Sequence, residues 1–303
     1  MMRAILLWLS RQKWLKQFFM TFFISRAVVR RFVCGEELED AAQAVKDLNQ
    51  KGLLATIDHL GEEVTNWDEA LDAAQFYHRI LEEIDKSKVN SNASLKLTQM
   101  GLKIDFQKCQ SSVEKIVQKA KGFGNFIRID MEGSDVTQKT LDLFYNLRKK
   151  YDNVGIVIQT YLSRSEKDVE DILNLKGRIR LCKGAYREPS SIAFPKKKDV
   201  DANFIKLTKM LLVSGVYHGI ATHDEKLIDF TKKFAQEEGI PKQSFEFQLL
   251  YGIRSDLQES LAKEGYNVRV YVPYGKEWYS YFMRRLAERP ANLFFLLKNF
   301  FKK

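Results

Sequence analysis

Eight short apolar runs, each breaking off into polar or glycine residues, are spaced along residues 53–275 with segments of helical period between them. The runs are LLATIDHLG (53–61), ASLKLTQMG (93–101), FIRIDMEG (126–133), VGIVIQTYL (154–162), RIRLCKGAY (178–186), HGIATHD (218–224), FEFQLLYG (245–252) and VRVYVPYG (268–275). Several alternate apolar and polar residues and are rich in β-branched side chains, as strands are. The helical segments run over 68–84, 111–120, 137–149, 166–175, 203–213, 225–237, 256–264 and 278–288. Ser134 stands where the third helix opens, and Gly239 followed by Pro241 where the sixth closes.

Strict alternation of strand and helix requires parallel strands joined by right-handed crossovers. Eight such units favour closure over an open sheet, so the reading is α/β: a (β/α)8 TIM-type barrel with extra N-terminal helices and a C-terminal helix. The domain division is 1–33 for a basic arm and 34–303 for the barrel. A chain with 45% apolar and 29% charged residues can bury a core of that size. Three scattered cysteines, Cys34, Cys109 and Cys182, suit a reducing compartment better than a disulfide framework.

The net charge of +10 invites a nucleic-acid reading, but seven of those charges fall in residues 1–33, which contain no acid. The barrel is nearly balanced and has no basic stripe interleaved with aromatics, so nucleic acid is not an expected partner. In the arm, Trp8, Leu15, Phe18, Phe19 and Phe22 share one helical face, opposite Ser10, Lys13, Gln17 and Thr21. That pattern fits a helix lying in a bilayer interface. Arg11 falls on the apolar side, and an arm packed on its own domain remains the alternative. The apolar run from Ala4 to Leu9 is too short to span a bilayer.

Catalytic groups of such barrels gather at the C-terminal strand ends. Read there, the sequence offers Asp58, His59 and Glu62; Lys96 and Gln99; Asp130 and Glu132; and Gln159 and Tyr161. Arg180, Lys183 and Tyr186 follow, then Thr222, His223 and Asp224, Glu246 and Gln248, and Tyr271 and Tyr274. The final helix adds Arg284, Arg285 and Glu288. A rim so polar implies a large polar ligand without saying which.

The stretches SLKLTQMG, IRIDMEGS, QTYLSRS, RLCKGAYRE, ATHD, EFQLLYG, RVYVPYG and WYSYFMRRLAERPAN resemble the proline dehydrogenase family, in order, over roughly 35–300. The resemblance implies a compact monofunctional enzyme that binds FAD at the barrel mouth and oxidises L-proline to Δ1-pyrroline-5-carboxylate. It implies a membrane quinone as electron acceptor and a cytoplasmic, peripheral position on the inner face of a bacterial membrane, with the mitochondrial inner membrane as the alternative. Carried over by position, Lys96, Arg284 and Arg285 correspond to substrate-binding cations, and Tyr186 and Tyr271 to tyrosines of the proline pocket. Asp130 and Arg180 correspond to catalytic residues beside substrate and flavin. Met131, Gln159, Lys183, Gly184, Ala185, Thr222 and His223 correspond to FAD contacts, and Glu62 to a gating acid. Two departures stand out: Asp224 where the family often has asparagine, and Cys182 where an aliphatic residue is expected.

The residue types suit that chemistry. Guanidinium forks bind a carboxylate bidentately, at about 1.5–3 kcal/mol for a charge-assisted hydrogen bond. Oxidation at the carbon beside nitrogen needs a neutral amine, which nearby cations favour. Lys96 and Asp130 are expected to pair across the pocket, and Arg180 or Lys183 to place a cation near the flavin. No G-x-G-x-x-G occurs, since Gly122-Phe123-Gly124 continues with Asn125, so FAD rests on the resemblance alone. No metal is expected. The rival readings are a metal hydrolase using Asp58, His59, His223 and Asp224, a Schiff-base aldolase using Lys96 or Lys183, and a membrane scaffold.

Overall fold

The computed structural model describes residues 31–61, 63–186, 188–278 and 281. Eight parallel strands close into one barrel in sequence order: β1 (Leu54–His59), β2 (Ser91–Leu95), β3 (Ile127–Ile129), β4 (Val154–Gln159), β5 (Arg178–Cys182), β6 (Gly219–Ala221), β7 (Glu246–Leu250) and β8 (Asn267–Tyr274). The last strand pairs with the first, Leu54 opposite Arg269 through His59 opposite Tyr274, which completes the ring.

Helix α1 (Leu38–Gln50) precedes β1 and packs against β1 and β8. Then α2 (Trp67–Ser87), α3 (Phe106–Gly122), α4 (Ser134–Arg148), α5 (Ser165–Asn174), α6 (Lys197–Val213), α7 (Glu225–Glu237) and α8 (Ser255–Lys263) follow the first seven strands in turn. The helix expected over 278–288 lies outside the described residues except for Trp278 and Tyr281. So does the interfacial helix expected in the N-terminal arm, up to residue 30. Where the arm meets the barrel, Phe32 and Val33 are buried and Cys34 N donates to Pro273 O. Among the described residues no helix is long and apolar enough to cross a membrane.

Several boundaries differ from the sequence reading, the largest at α6, which starts six residues before the expected Asn203, and two of the differences have local reasons. Helix α3 starts five residues before the expected Ser111, because Asp105 caps it, its Oδ1 accepting from Lys108 N at 3.0 Å. Strand β2 spans Ser91–Leu95, and the chain then tightens into a turn, so Lys96 and Gln99 sit just beyond the strand. Ser134 is the first residue of α4 but not its cap, a place taken by Gly133, while Gly239 leaves α7 at φ +65°, a conformation glycine adopts without penalty.

Strand alternation sorts the side chains into two layers. Ile127, Ile129, Ile179, Leu181, Phe247, Leu249, Val268 and Val270 are buried between barrel and helices. Their neighbours Asp130, Arg180, Glu246, Gln248, Arg269 and Tyr271 bond to one another inside the ring, while Arg128 donates to the backbone carbonyls of Ile156 and Arg178. The polar character therefore runs the length of the axis and is not confined to one rim. Glu246, expected among the C-terminal strand ends, is the first residue of β7 and lies at the opposite mouth. Glycines clear the space this needs: a Cβ on Gly155 would come within 2.5 Å of Arg128 Nη1, and one on Gly219 within 2.3 Å of Gln248 Nε2.

Candidate active site

At the C-terminal mouth lies a cavity of about 390 Å³. Lys96 reaches it from the end of β2, Asp130 and Met131 from β3, Gln159 from β4 and Arg180 from β5. The loop after β5 contributes Lys183, Gly184, Ala185 and Tyr186; β6 contributes Thr222 and His223, and β8 contributes Tyr271. Every described residue that the resemblance assigns to the site thus borders one space, whereas His59 and Tyr274 line a separate cavity. Glu62, Arg284 and Arg285 lie outside the described residues.

The hydrogen bonds divide these residues differently from the sequence reading. Lys96 grips Asp58 with Nζ 2.8 and 2.9 Å from the two carboxylate oxygens, and stands 3.8 Å from Asp130 Oδ2. Its main partner is therefore Asp58, on the strand adjacent to β2, and not Asp130 as expected. Burial pushes the Asp58 carboxyl up to about 6, against the pull of Lys96. Removing one member of such a buried pair costs about 3–5 kcal/mol.

Asp130 instead takes three donors: Ser94 Oγ at 2.5 Å, Tyr271 OH at 2.8 Å and Arg180 Nη1 at 2.9 Å. Burial, reinforced by Asp130 and Asp58, holds the Tyr271 phenol well above its ordinary range, so it serves as a donor. Arg180 also donates through Nε to Gln248 Oε1 at 2.5 Å and stacks 5.2 Å from the Tyr271 ring centroid. Its Nη2 is buried with no hydrogen-bond partner.

On the other side of the cavity, Gln159 Nε2 donates to Met131 O at 3.1 Å, while its Oε1 is buried and unpartnered. His223 Nε2 accepts from Leu250 N at 3.0 Å, which leaves Nδ1 to carry the proton of a neutral ring. Gly184 sits at φ +99°, and a Cβ there would lie 2.2 Å from the Tyr161 ring, so only glycine fits. Lys183 is neutralised by Asp201 at 2.6 Å and Asp224 at 2.8 Å. Asp224, noted as a departure from the family pattern, thus serves as a lysine partner, and its carboxyl lies below the usual range because Lys183 and Lys197 outweigh its burial.

Sequence reasoning undervalued Asp58, which it counted as one acid of a polar rim. It gave Ser94 and Asp201 no role, since nothing in a lone serine in a strand or an aspartate in a helix marks a site. Among the described residues no three His, Cys, Asp or Glu side chains gather to hold a metal, so the metal-hydrolase quartet is not assembled. Asp58 belongs to Lys96, and Asp224 to Lys183.

Fold and site together define a (β/α)8-barrel enzyme with an open, charge-lined cavity at its C-terminal mouth. The family model described as Proline dehydrogenase matches residues 41–298. The chain belongs to the proline dehydrogenase family. It is 46% identical over 279 residues to Proline dehydrogenase 2 of Bacillus subtilis, covering 92% of each chain. It is 44% identical to Proline dehydrogenase 1 of the same organism over 303 residues and the whole of both chains. The proline dehydrogenase of Deinococcus radiodurans is 41% identical, over 91% of this chain and 90% of that one. Among solved structures, proline utilization A from Bdellovibrio bacteriovorus, inactivated by N-propargylglycine, superposes with a TM-score of 0.82 at 25% identity over 87% of this chain. This chain spans 33% of that protein's length.

Proposed function

We propose that this protein oxidises L-proline to Δ1-pyrroline-5-carboxylate with FAD as resident cofactor, and passes the electrons to a membrane quinone. The observation that carries the reading is the convergence of Lys96, Asp130, Arg180 and Tyr271 on one cavity, with a buried guanidinium N–H of Arg180 left without a partner.

The far side of the cavity fits a flavin. Gly184 brings backbone close where a side chain would clash, and Gln159 Oε1 is a buried acceptor awaiting a donor such as the ring imide. Thr222 and the Nδ1 side of His223 add polar contacts, with Met131, Lys183 and Ala185 closing the wall. When bound, FAD supplies the two-electron acceptor that no side chain here can provide.

The remaining work falls to the chain. Proline presents a carboxylate and a ring nitrogen. Arg284 and Arg285, outside the described residues, are the proposed carboxylate clamp, with Lys96 alongside and Tyr186 lining the pocket. Asp130 accepts from Ser94, Arg180 and Tyr271, so we assign it the fixing of Arg180 and Tyr271. Lys96 and Arg180 disfavour a second cation and so favour the neutral amine that oxidation needs. Glu62 is proposed as a gate. Residues 1–30 are proposed to rest on the cytoplasmic face of a bacterial membrane, bringing the barrel to its quinone.

Purified protein is expected to be yellow, with a flavin spectrum bleached by L-proline under anaerobic conditions. A colourless protein that FAD cannot reconstitute would overturn the assignment. Deleting residues 1–25 is expected to reduce vesicle binding and leave activity with a soluble dye intact; equal vesicle binding by both forms would remove the membrane element.

A further inference from the structure

The opposite mouth of the barrel holds a second cavity, of about 300 Å³, bordered by Arg128, Arg178, Arg269, Asn92, Tyr217 and Glu246. Three guanidinium groups face a single carboxylate among the described residues lining it. That carboxylate is already engaged. Glu246 accepts from Arg269 Nε at 2.8 and 2.9 Å, from Tyr217 OH at 3.0 Å and from Gln248 Nε2 at 2.5 Å. Its charge offsets Arg269 and leaves those of Arg128 and Arg178 uncompensated.

Arg128 is 3% exposed and spends Nη1 on two backbone carbonyls, Arg178 O at 2.7 Å and Ile156 O at 3.3 Å. Its Nε is buried with no partner. Burial and the three surrounding arginines, Arg180, Arg269 and Arg178, hold this guanidinium well below its ordinary range, outweighing Glu246. A buried cation so crowded by like charge is stabilised by an anion. Arg178 is exposed and, among the described residues, has no ion-pair partner; it lies over the Phe126 ring at 5.3 Å and the Tyr217 ring at 5.7 Å. Phe126 also carries Arg128, at 4.8 Å, so one ring spaces two guanidinium forks beside a single opening. Asn92 has its Oδ1 taken by Thr56 Oγ1 at 2.5 Å, which leaves its amide N–H groups as further donors.

We propose that this N-terminal mouth is a binding site for a compact oxyanion, held by Arg128 and Arg178 and steadied by Asn92. Guanidinium forks match phosphate and carboxylate oxygens alike, and the cavity admits an anion of either kind. The site lies at the end of the barrel away from the proline pocket, and its occupancy does not depend on the activity proposed above.

Titration of the full-length protein with inorganic phosphate and, separately, succinate, against chloride at matched ionic strength, tests the site. One equivalent of at least one oxyanion is expected to bind. Affinity should fall about tenfold in Arg178→Gln, which removes one charge-assisted fork from an exposed position. Asn92→Asp, which adds a negative charge, should weaken binding further. Phosphate-selective binding assigns a tetrahedral ligand, and succinate-selective binding a dicarboxylate. If neither binds above chloride, or if Arg178→Gln binds as tightly as the unaltered chain, the proposal fails.

Discussion

Arg180 holds Asp130 and Gln248 at the same time, with Nη1 2.9 Å from Oδ1 of the first and Nε 2.5 Å from Oε1 of the second. The two bonds fix the plane of the guanidinium and aim its unpartnered Nη2. On the proposed function, the donor offered to the substrate is therefore preorganised before any ligand arrives.

Arg180→Lys is accordingly expected to be a poor replacement. An ammonium can bond Asp130 or Gln248 but cannot reproduce the fork. A fall of roughly a hundredfold in kcat/KM for proline is expected, the scale seen when one preorganised donor is lost, with flavin content little changed. Activity within twofold of the unaltered enzyme would show that Arg180 does not act on the substrate.

Asp58 and Lys96 should behave as one unit. Asp58→Asn leaves a buried ammonium and Lys96→Met a buried carboxyl, each single change costing about 3–5 kcal/mol. The double variant should be more stable than the two losses added together, and denaturant melts of all four forms measure the difference. Additive losses would mean that the 2.8 Å contact contributes nothing. In Lys96→Met the Asp58 carboxyl, already raised to about 6, should rise further, so that form should lose stability as pH increases.

Gly184→Ala asks a Cβ to enter the Tyr161 ring at a backbone φ of +99°. The loop from Lys183 to Tyr186 must then move, and retained flavin per protein is expected to drop about tenfold or more, a cost of ~1.4 kcal/mol or above. An absorbance ratio equal to that of the parent would mean the loop does not contact the cofactor.

Acid stability should depend on His218. Its Nδ1 accepts from Ile179 N at 3.0 Å, and burial with Arg128 and Arg178 nearby holds the ring down to about 3. His59 is held to about 4 by burial, Lys96 and Arg79. Both folded values lie below the unfolded one near ~6.5, so the unfolded chain binds more protons in between. Stability should therefore be full above about pH 6.5 and decline as pH falls toward 4. In His218→Asn the slope of unfolding free energy against pH over that window should flatten by about one proton. An unchanged slope would show that His218 is charged in the folded state.

The strand-and-helix alternation was enough to give the barrel, because period-2 runs and their turn residues are local signals. The strand-end positions likewise placed Lys96, Asp130, Arg180 and Tyr271 beside one cavity, since position on a barrel strand dictates which mouth a side chain reaches. Pairing was not legible. Whether Lys96 meets Asp58 or Asp130 depends on distances across the ring, and both acids end a similar apolar run. The axial polarity was only partly legible, although the alternation of RIRLC already separates Arg178 and Arg180 from Ile179 and Leu181. Helix α1 gave too weak a signal beside the basic arm, its cap resting on a box between Glu37 and Asp40.

The glycines at 155 and 219 have a consequence for how such a barrel could change its substrate. Inside the ring, shape is set by directional bonds between charged groups, and not by aliphatic chains that slide into new fits. Enlarging Gly155 or Gly219 evicts a guanidinium or an amide and orphans its partner as well. Adaptation of this interior would have to proceed two residues at a time, leaving the loops around the mouth as the region where single changes can be tolerated.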